Sequence, residues 1–309
     1  MSLVASQKPS LAIEGIAKRY GDVLAVDDVS IEIEQGQVFG LLGPNAAGKT
    51  TVIRMLCGII NRDKGNIFIN GKRIADARHN IGYVSQQFGQ YEELTVWENL
   101  KFYAQMYGVS DQKHLNQLLE RYGLTPFKQR KAGALSGGYQ RRLGLVCAVA
   151  HNPDVLFLDE PTAGIDPVTR KHLWDEFYDL SAQGKTLFIT THYMEEAQRC
   201  DRLAFIDHGR IIARGTPVTI KQSLGHVLVY VAQLAFHPEV QRVLQANPKV
   251  LLVNQFGAQI RIVVQDQTSR SELEQAITEI TQAPVSLTPG EPNLEDVFIA
   301  LTQNGVRQS

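Results

Sequence analysis

Several things are scarce in this sequence, and each scarcity removes a class of protein. Its three cysteines, Cys57, Cys147 and Cys200, are odd in number, widely spaced and without a CxxC. That excludes a disulfide framework and a cysteine zinc site and leaves the thiols as small buried hydrophobes. No hydrophobic run is long: the most apolar stretch, Leu224 to Phe236, is 13 residues broken by His226 and Gln233. About 20 such residues are needed to cross the bilayer core, so any membrane role is expected to run through a partner. Charge of one sign is not in excess either, with 31 Lys and Arg against 32 Asp and Glu. A net charge of −1 provides no broad basic field for counterion release, and no nucleic acid is expected as a partner. The segment Met1 to Ser10 has one Lys and no apolar core, so no secretory signal is expected and the chain should stay in the cytosol. Internal repeats and low-complexity tracts are also lacking.

What is present is an ordinary globular composition, 44% hydrophobic and 20% charged, over 309 residues. That length suits about two domains, each with its own core. Through residue 220 short apolar runs alternate with amphipathic stretches, which predicts strands alternating with helices and a mostly parallel sheet. The strongest strands are Val38 to Leu42, Val155 to Leu158 and Leu187 to Thr190, each followed by Gly, Asp or polar residues, so the chemistry should lie at their C-terminal ends. Residues 11–34, 66–74 and 203–214 alternate instead and predict an antiparallel β layer, with a hairpin turn at His208-Gly209. Between Trp97 and Gln129 the period lengthens to about 3.6, placing Leu100, Tyr103, Ala104 and Tyr107 on one helical face and Leu115, Leu118 and Leu119 on another. This marks a helical insert, about 87–135.

Turn residues at Gly215-Thr216-Pro217, followed by a short helix through Leu224, mark a boundary. The expected division is 1–223 for the first, larger domain and 224–309 for a small accessory domain. In the latter, strand 226–234, helix 237–246, strands 249–254 and 258–264, helix 270–281 and strand 284–288 give the order βαββαβ of a ferredoxin-like α+β sandwich. A helix from Asn293 to Gln303 follows.

After the strand ending at Leu42 comes Gly43-Pro44-Asn45-Ala46-Ala47-Gly48-Lys49-Thr50, two Gly five apart followed by Lys and Thr, with a helix predicted near Thr51. This is the phosphate-loop pattern. A polyphosphate needs inward-pointing backbone N–H groups, a helix N-terminus, a Lys that reaches the β and γ phosphates, here Lys49, and a hydroxyl for Mg²⁺, here Thr50. The strand Val155 to Leu158 ends in Asp159-Glu160. Beside a phosphate loop, Asp159 can hold Mg²⁺ through water while Glu160 orients or deprotonates the attacking water. Of eight His, only His192 follows a predicted sheet strand, with Thr190 and Thr191 before it. No His or Cys cluster suggests a transition metal.

Between these motifs stands Leu135-Ser136-Gly137-Gly138, ahead of a helical run from Tyr139 to Ala150. With it, the first two thirds of the chain resemble the ATP-binding-cassette (ABC) ATPases. The resemblance implies a P-loop α/β domain of the ABC type, a mostly parallel sheet with an antiparallel layer and the helical insert. It also implies ATP and Mg²⁺ as ligands. Tyr20, in Arg19-Tyr20-Gly21, is similar to the aromatic that stacks on adenine. Gln86, in Ile81-Gly82-Tyr83-Val84-Ser85-Gln86, is similar to the glutamine that touches Mg²⁺ and water and senses the membrane partner. Asp166, in Ala163-Gly164-Ile165-Asp166, resembles the loop aspartate at the dimer interface, and His192 the switch histidine at the γ-phosphate. Catalysis would then rest on Glu160, His192, Lys49 and Gln86, with Thr50, Gln86 and Asp159 toward the metal. ATP would be held by Tyr20, residues Gly43, Pro44, Asn45, Ala46, Ala47, Gly48, Lys49, Thr50 and Thr51, and by Ser136, Gly137, Gly138 and Asp166.

Two positions depart from the family pattern: Ala46 stands where Gly is usual, and Tyr139 where Gln or Met is usual. If position 46 requires φ above zero, Ala costs about 1–2 kcal/mol against Gly. The resemblance implies a homodimer closed head to tail by ATP and driving separate multi-helix permease subunits, so that the chain lies on the inner face of the cell membrane. The segment Asn293-Leu294-Glu295-Asp296-Val297-Phe298-Ile299-Ala300-Leu301-Thr302 resembles the ending of type-2 exporter ATPases that serve daunorubicin resistance and nodulation-factor export. Phe88, Tyr91 and Leu94 are candidate permease contacts. A soluble non-transport ABC ATPase, an importer subunit and a slowly hydrolysing nucleotide-gated module are the alternatives.

Overall fold

A computed structural model describes residues 9–223, 227–265 and 268–307. Lys8 and the residues before it, and Leu224 at the end of the expected short helix, lie outside the described residues. The chain divides into two compact units between Arg214 and Gly215.

In chain order the first unit contains β1 (Leu11–Tyr20), β2 (Val23–Ile33), β3 (Val38–Leu42), α1 (Lys49–Leu56), β4 (Lys64–Ile69), β5 (Lys72–Arg73) and β6 (Ile81–Val84). Then come α2 (Val96–Met106), α3 (Gln112–Arg121), α4 (Gly137–Val149), β7 (Val155–Asp159), α5 (Pro167–Ala182), β8 (Thr186–Thr191), α6 (Met194–Ala197), β9 (Arg202–Asp207) and β10 (Arg210–Gly215). Six strands form one sheet in the order β10-β9-β3-β8-β7-β6, with β9, β3, β8, β7 and β6 parallel. Every residue of β3, β7 and β8 is buried, as a sheet covered on both faces requires of its central strands. These three strands are neighbours, so their C-terminal ends converge.

A second sheet, β2-β1-β4-β5, is antiparallel and alternates buried and exposed positions along β2. One expectation for this layer needs correction. The hairpin at 203–214 belongs to the parallel sheet: β9 pairs in parallel with β3, because Leu203, Ala204, Phe205 and Ile206 are all fully buried and suit a strand covered on both faces. The turn itself is as expected, with positive φ at His208 and Gly209. Leu11, Ile13, Val52, Ile53 and Phe157 fill the core between the two sheets and α1, while Leu100, Leu143, Leu158, Trp174 and Phe177 fill the other side of the parallel sheet.

The insert consists of α2 and α3. Thr95 and Glu98 form a reciprocal capping box at the start of α2, a feature worth about 1 kcal/mol. Asn99, fully buried, accepts from Tyr91 N–H and donates to the carbonyls of Tyr91, Leu94 and Thr95, pinning the segment that precedes the helix.

The second unit contains α7 (Pro217–Gln222), β11 (Val227–Gln233), α8 (Pro238–Ala246), β12 (Val250–Phe256), β13 (Gln259–Gln265), α9 (Arg270–Thr281), β14 (Thr288–Gly290) and α10 (Leu294–Arg307). The short helix α7 therefore falls with this unit, where it packs against α10, and not with the first. The sheet runs β12-β13-β11-β14 with antiparallel neighbours. Val240 and Leu244 of α8 and Leu273 and Ile277 of α9 cover one face, and Ile299 of α10 packs on the other against Val229, Leu252 and Val263. The last strand begins later than the expected 284–288. Val285 and Leu287 donate their N–H groups to Thr278 Oγ1 and Glu274 Oε1 of α9, which keeps that stretch off the ladder.

Candidate functional site: a phosphate loop and two carboxylates

The loop Gly43–Gly48 turns from β3 into α1 over the C-terminal ends of the parallel strands. Gly43 can carry no side chain, since a Cβ there would collide with the Ile206 carbonyl. At Gly48, with φ 105°, a Cβ would stand 2.6 Å from the Ala25 carbonyl. Ala46 has φ 66°, the left-handed region that a Cβ disfavours, so the strain attached to Ala at this position is present in the fold. The first N–H groups of α1 lack intrahelical acceptors and point out of the helix start. Lys49, nearly buried, donates to the carbonyls of Gly43 at 2.8 Å and Pro44 at 3.0 Å.

Next to this loop, β7 delivers the two carboxylates to opposite tasks. Asp159 Oδ1 accepts from Thr190 Oγ1 at 2.6 Å and from Thr50 Oγ1 at 3.4 Å. Its Oδ2 is buried without a hydrogen-bond partner, and burial pushes the carboxyl above its ordinary value. Glu160 takes φ 47°, held there by its N–H donating to both the carbonyl and the hydroxyl of Thr190, at 3.1 and 3.0 Å. That bend aims its side chain at three partners. Lys49 Nζ lies 3.3 Å from Oε1, Gln86 Nε2 donates to Oε2 at 3.1 Å, and His192 Nδ1 is 3.2 Å from Oε2. A cavity of about 370 Å³ opens above, lined by Asn45, Ala46 and Gly48 to Thr51 together with Ala25, Gln86 and Glu160.

The structure thus brings together Lys49, Thr50, Gln86, Asp159, Glu160 and His192. It does not bring Tyr20, Ser136, Gly137, Gly138 or Asp166 to that cavity. Tyr20 is exposed at the end of β1, 5.6 Å from Lys18 Nζ. Ser136 precedes α4 with no capping bond from its hydroxyl, and a Cβ on Gly138 would press 2.9 Å from Thr169. Asp166 caps α5, accepting from the N–H groups of Val168 and Thr169, and the Thr169 side chain, together with these bonds, holds its carboxyl below the ordinary range. Tyr139 packs on Phe127 of the insert, ring centroids 4.3 Å apart, so this departure serves to attach the insert. Thr190 and Ala25 were missed by sequence reasoning. Thr190 could have been found as the strand-end hydroxyl opposite Asp159; nothing marks Ala25, whose part is to be small.

Residues 26–163 match the ABC transporter family model. The linearmycin resistance ATP-binding protein LnrL of Bacillus subtilis is 36% identical over 96% of this chain and 99% of its own length. The chain belongs to the ATP-binding proteins of ABC transporters. The Nod factor export ATP-binding protein I of a Rhizobium species is likewise 36% identical, over 96% of this chain and 97% of its own. The probable multidrug ABC transporter ATP-binding protein YbhF of Escherichia coli is 38% identical over 67% of this chain, which spans only 37% of that relative. Among solved structures, an ATP-binding subunit of an ABC transporter superposes with a TM-score of 0.65 at 30% identity, over 70% of this chain and 93% of that one. This ABC protein is therefore an ATP-binding subunit and an ATPase by family, and the soluble non-transport alternative is set aside. Among the described residues no helix is long and apolar enough to cross a membrane.

Proposed function

We propose that this ABC protein is the hydrolytic motor of an exporter. The observation that carries the reading is the convergence of Lys49, Gln86 and His192 on the one carboxylate of Glu160, beside a phosphate loop. Lys49 is placed to exchange its loop carbonyls for the β and γ phosphates of ATP, and the α1 N-terminus adds N–H donors. Glu160 takes the proton of the attacking water at a carboxylate oxygen, Gln86 orients that water, and His192 holds the γ-phosphate. ADP and phosphate are the products.

The donor set fits Mg²⁺: Asp159 Oδ2 is a buried oxygen without a partner, and the Thr50 hydroxyl adjoins Asp159. Among the described residues no three His, Cys, Asp or Glu form a cage. Held by Asp159 and Thr50, Mg²⁺ would supply positive charge that offsets the negative charge of the phosphate chain.

A homodimer closed by ATP is the proposed moving part. Ser136 and Gly137 are exposed at the N-terminus of α4, a donor-rich anion site that a second copy's nucleotide would satisfy, with Asp166 beside it at the interface and Tyr20 stacking on adenine. Permease subunits are the proposed partners, placing the chain at the inner face of the cell membrane. Their contact is argued from exposed Tyr91, Phe102 and Met106, with half-buried Phe88 and Leu94 adjoining. The βαββαβ order after residue 226 supports reading the second unit as a ferredoxin-like accessory domain. Relatives named for linearmycin resistance and Nod factor export support export as the direction.

The test is to recover a tagged Glu160→Gln form from its host with MgATP present. Recovery from membranes with a stoichiometric multi-helix protein, together with phosphate release by the wild type and none by the variant, is the expected outcome. Recovery from the cytosol alone overturns the motor reading.

A further inference from the structure

Behind the hydrolysis site lies a carboxylate that no motif marks. Glu196, in α6, is 1% exposed. A carboxylate withdrawn from water is tolerated when its oxygens find donors, and here both do. Thr191 Oγ1 donates to Oε2 at 2.7 Å, Thr162 Oγ1 donates to Oε1, and Arg170 Nε of α5 stands 3.7 Å from Oε1. The two hydroxyls come from the two segments that carry the reacting groups. Thr191 directly precedes His192, and Thr162 follows Glu160 by two residues. Thr191 Oγ1 also accepts from Tyr193 N–H at 3.0 Å, so the backbone is clasped on both sides of His192. The Arg170 guanidinium lies 4.8 Å over the Tyr193 ring, whose centroid is 4.1 Å from that of His192.

We infer that Glu196 is a positioning residue for hydrolysis: it ties the loop after β8 to the loop after β7 and thereby sets His192 against Glu160. The inference rests on the reading of those two as reacting groups. A carboxylate suits the task because each of its oxygens accepts from one hydroxyl. An amide would turn an N–H₂ group either toward Arg170 and Thr162 or toward Thr191, and the hydroxyl it faces would lose the acceptor for its proton. Misplacement of a reacting group by about 1 Å can cost on the order of 100-fold in rate, so a latch whose hydroxyls stand two residues from Glu160 and one from His192 is close enough to matter.

The full-length protein is assayed for kcat, KM and the affinity of a fluorescent ATP analogue in four variants. Thr162→Val removes the bridging hydroxyl at nearly constant volume, Thr162→Ser keeps it, Glu196→Gln keeps the shape of the latch, and His192→Ala removes the group it positions. Thr162→Val and Glu196→Gln are expected to lower kcat about 10-fold with affinity and KM within about 2-fold, while Thr162→Ser stays near wild type. Equal losses in the Val and Ser forms, or affinity falling in step with kcat, overturn the inference, and the Thr162 pair decides it even where Glu196→Gln does not fold. If His192→Ala loses activity and Thr162→Val does not, the latch alone fails. If His192→Ala keeps wild-type kcat, the reading of the site fails with it.

Discussion

The two compact units treat buried charge differently. In the second, Asp296 is fully buried and fully matched: Arg261 meets both of its oxygens, and Asn293 N–H donates to it while the Asn293 side chain caps Asp296 in return. In the first, Asp159 keeps a buried oxygen unpaired, Glu160 shares its oxygens among three side chains, and Ala46 and Glu160 sit in the left-handed region. The other non-glycine residues of that unit in this region, Asp28, Asn70, Asn152 and His208, are of the types that tolerate it. Ala and Glu are not. Polar satisfaction is complete at Asp296, which only holds a helix, and incomplete at Asp159, beside the loop that a phosphate chain would fill. Within the first unit, the left-handed residues of intolerant type and an unpaired buried carboxylate oxygen therefore coincide at the phosphate loop.

The comparison can be broken at both ends. The largest effect is expected from Glu160→Gln, which should lower ATP turnover by about 1,000-fold with the fold intact, measured as phosphate release and by circular dichroism. An active variant would move the base elsewhere. Next is Asp296→Ala, which leaves the Arg261 guanidinium buried without its carboxylate and should cost about 3 kcal/mol in the second unit, read by denaturant unfolding of the whole chain. Nucleotide affinity should not change, and a large loss there would mean that the matched pair serves the site. Smaller is Ala46→Gly. Relief of the left-handed strain, partly offset by the added freedom of the unfolded chain, should stabilise the protein by about 1 kcal/mol, seen as a higher melting temperature. A fall would show that the methyl group packs usefully.

The smallest effect concerns pH. Because the folded carboxyl of Asp159 titrates above its ordinary value of 3.8, the native state binds more protons than the unfolded chain in the interval above that value. This group's contribution to metal-free stability is therefore full below 3.8 and declines as pH rises through the interval. Asp159→Asn should remove that decline, so the variant's stability relative to wild type rises with pH and then levels off, as thermal melts in chelator should record. A difference independent of pH would place the proton on another group.

Much of the nucleotide unit was legible because its signals are local. The Gly43–Thr50 run, the strand ending at Asp159 and the insert faces of Leu100, Ala104, Leu115 and Leu119 each follow from neighbours within a turn or a strand. The second unit's periods were also readable, and β14 slipped only because side chains of α9 captured the N–H groups of Val285 and Leu287, a contact no periodicity reports. The hairpin at 203–214 was placed in the wrong sheet for a related reason: alternation and continuous burial look alike over six residues, and pairing partners decide between them.

By itself the sequence determined that a phosphate loop, two carboxylates and a histidine lie at strand ends, since each is written in a short contiguous run. Only the tertiary structure decided that Glu160 meets Lys49, Gln86 and His192 at once, and that the Thr162 hydroxyl donates to Glu196, 34 residues away, behind them. Those meetings depend on the order β3-β8-β7-β6, and parallel strands joined by long crossovers carry no local record of which neighbour they will take.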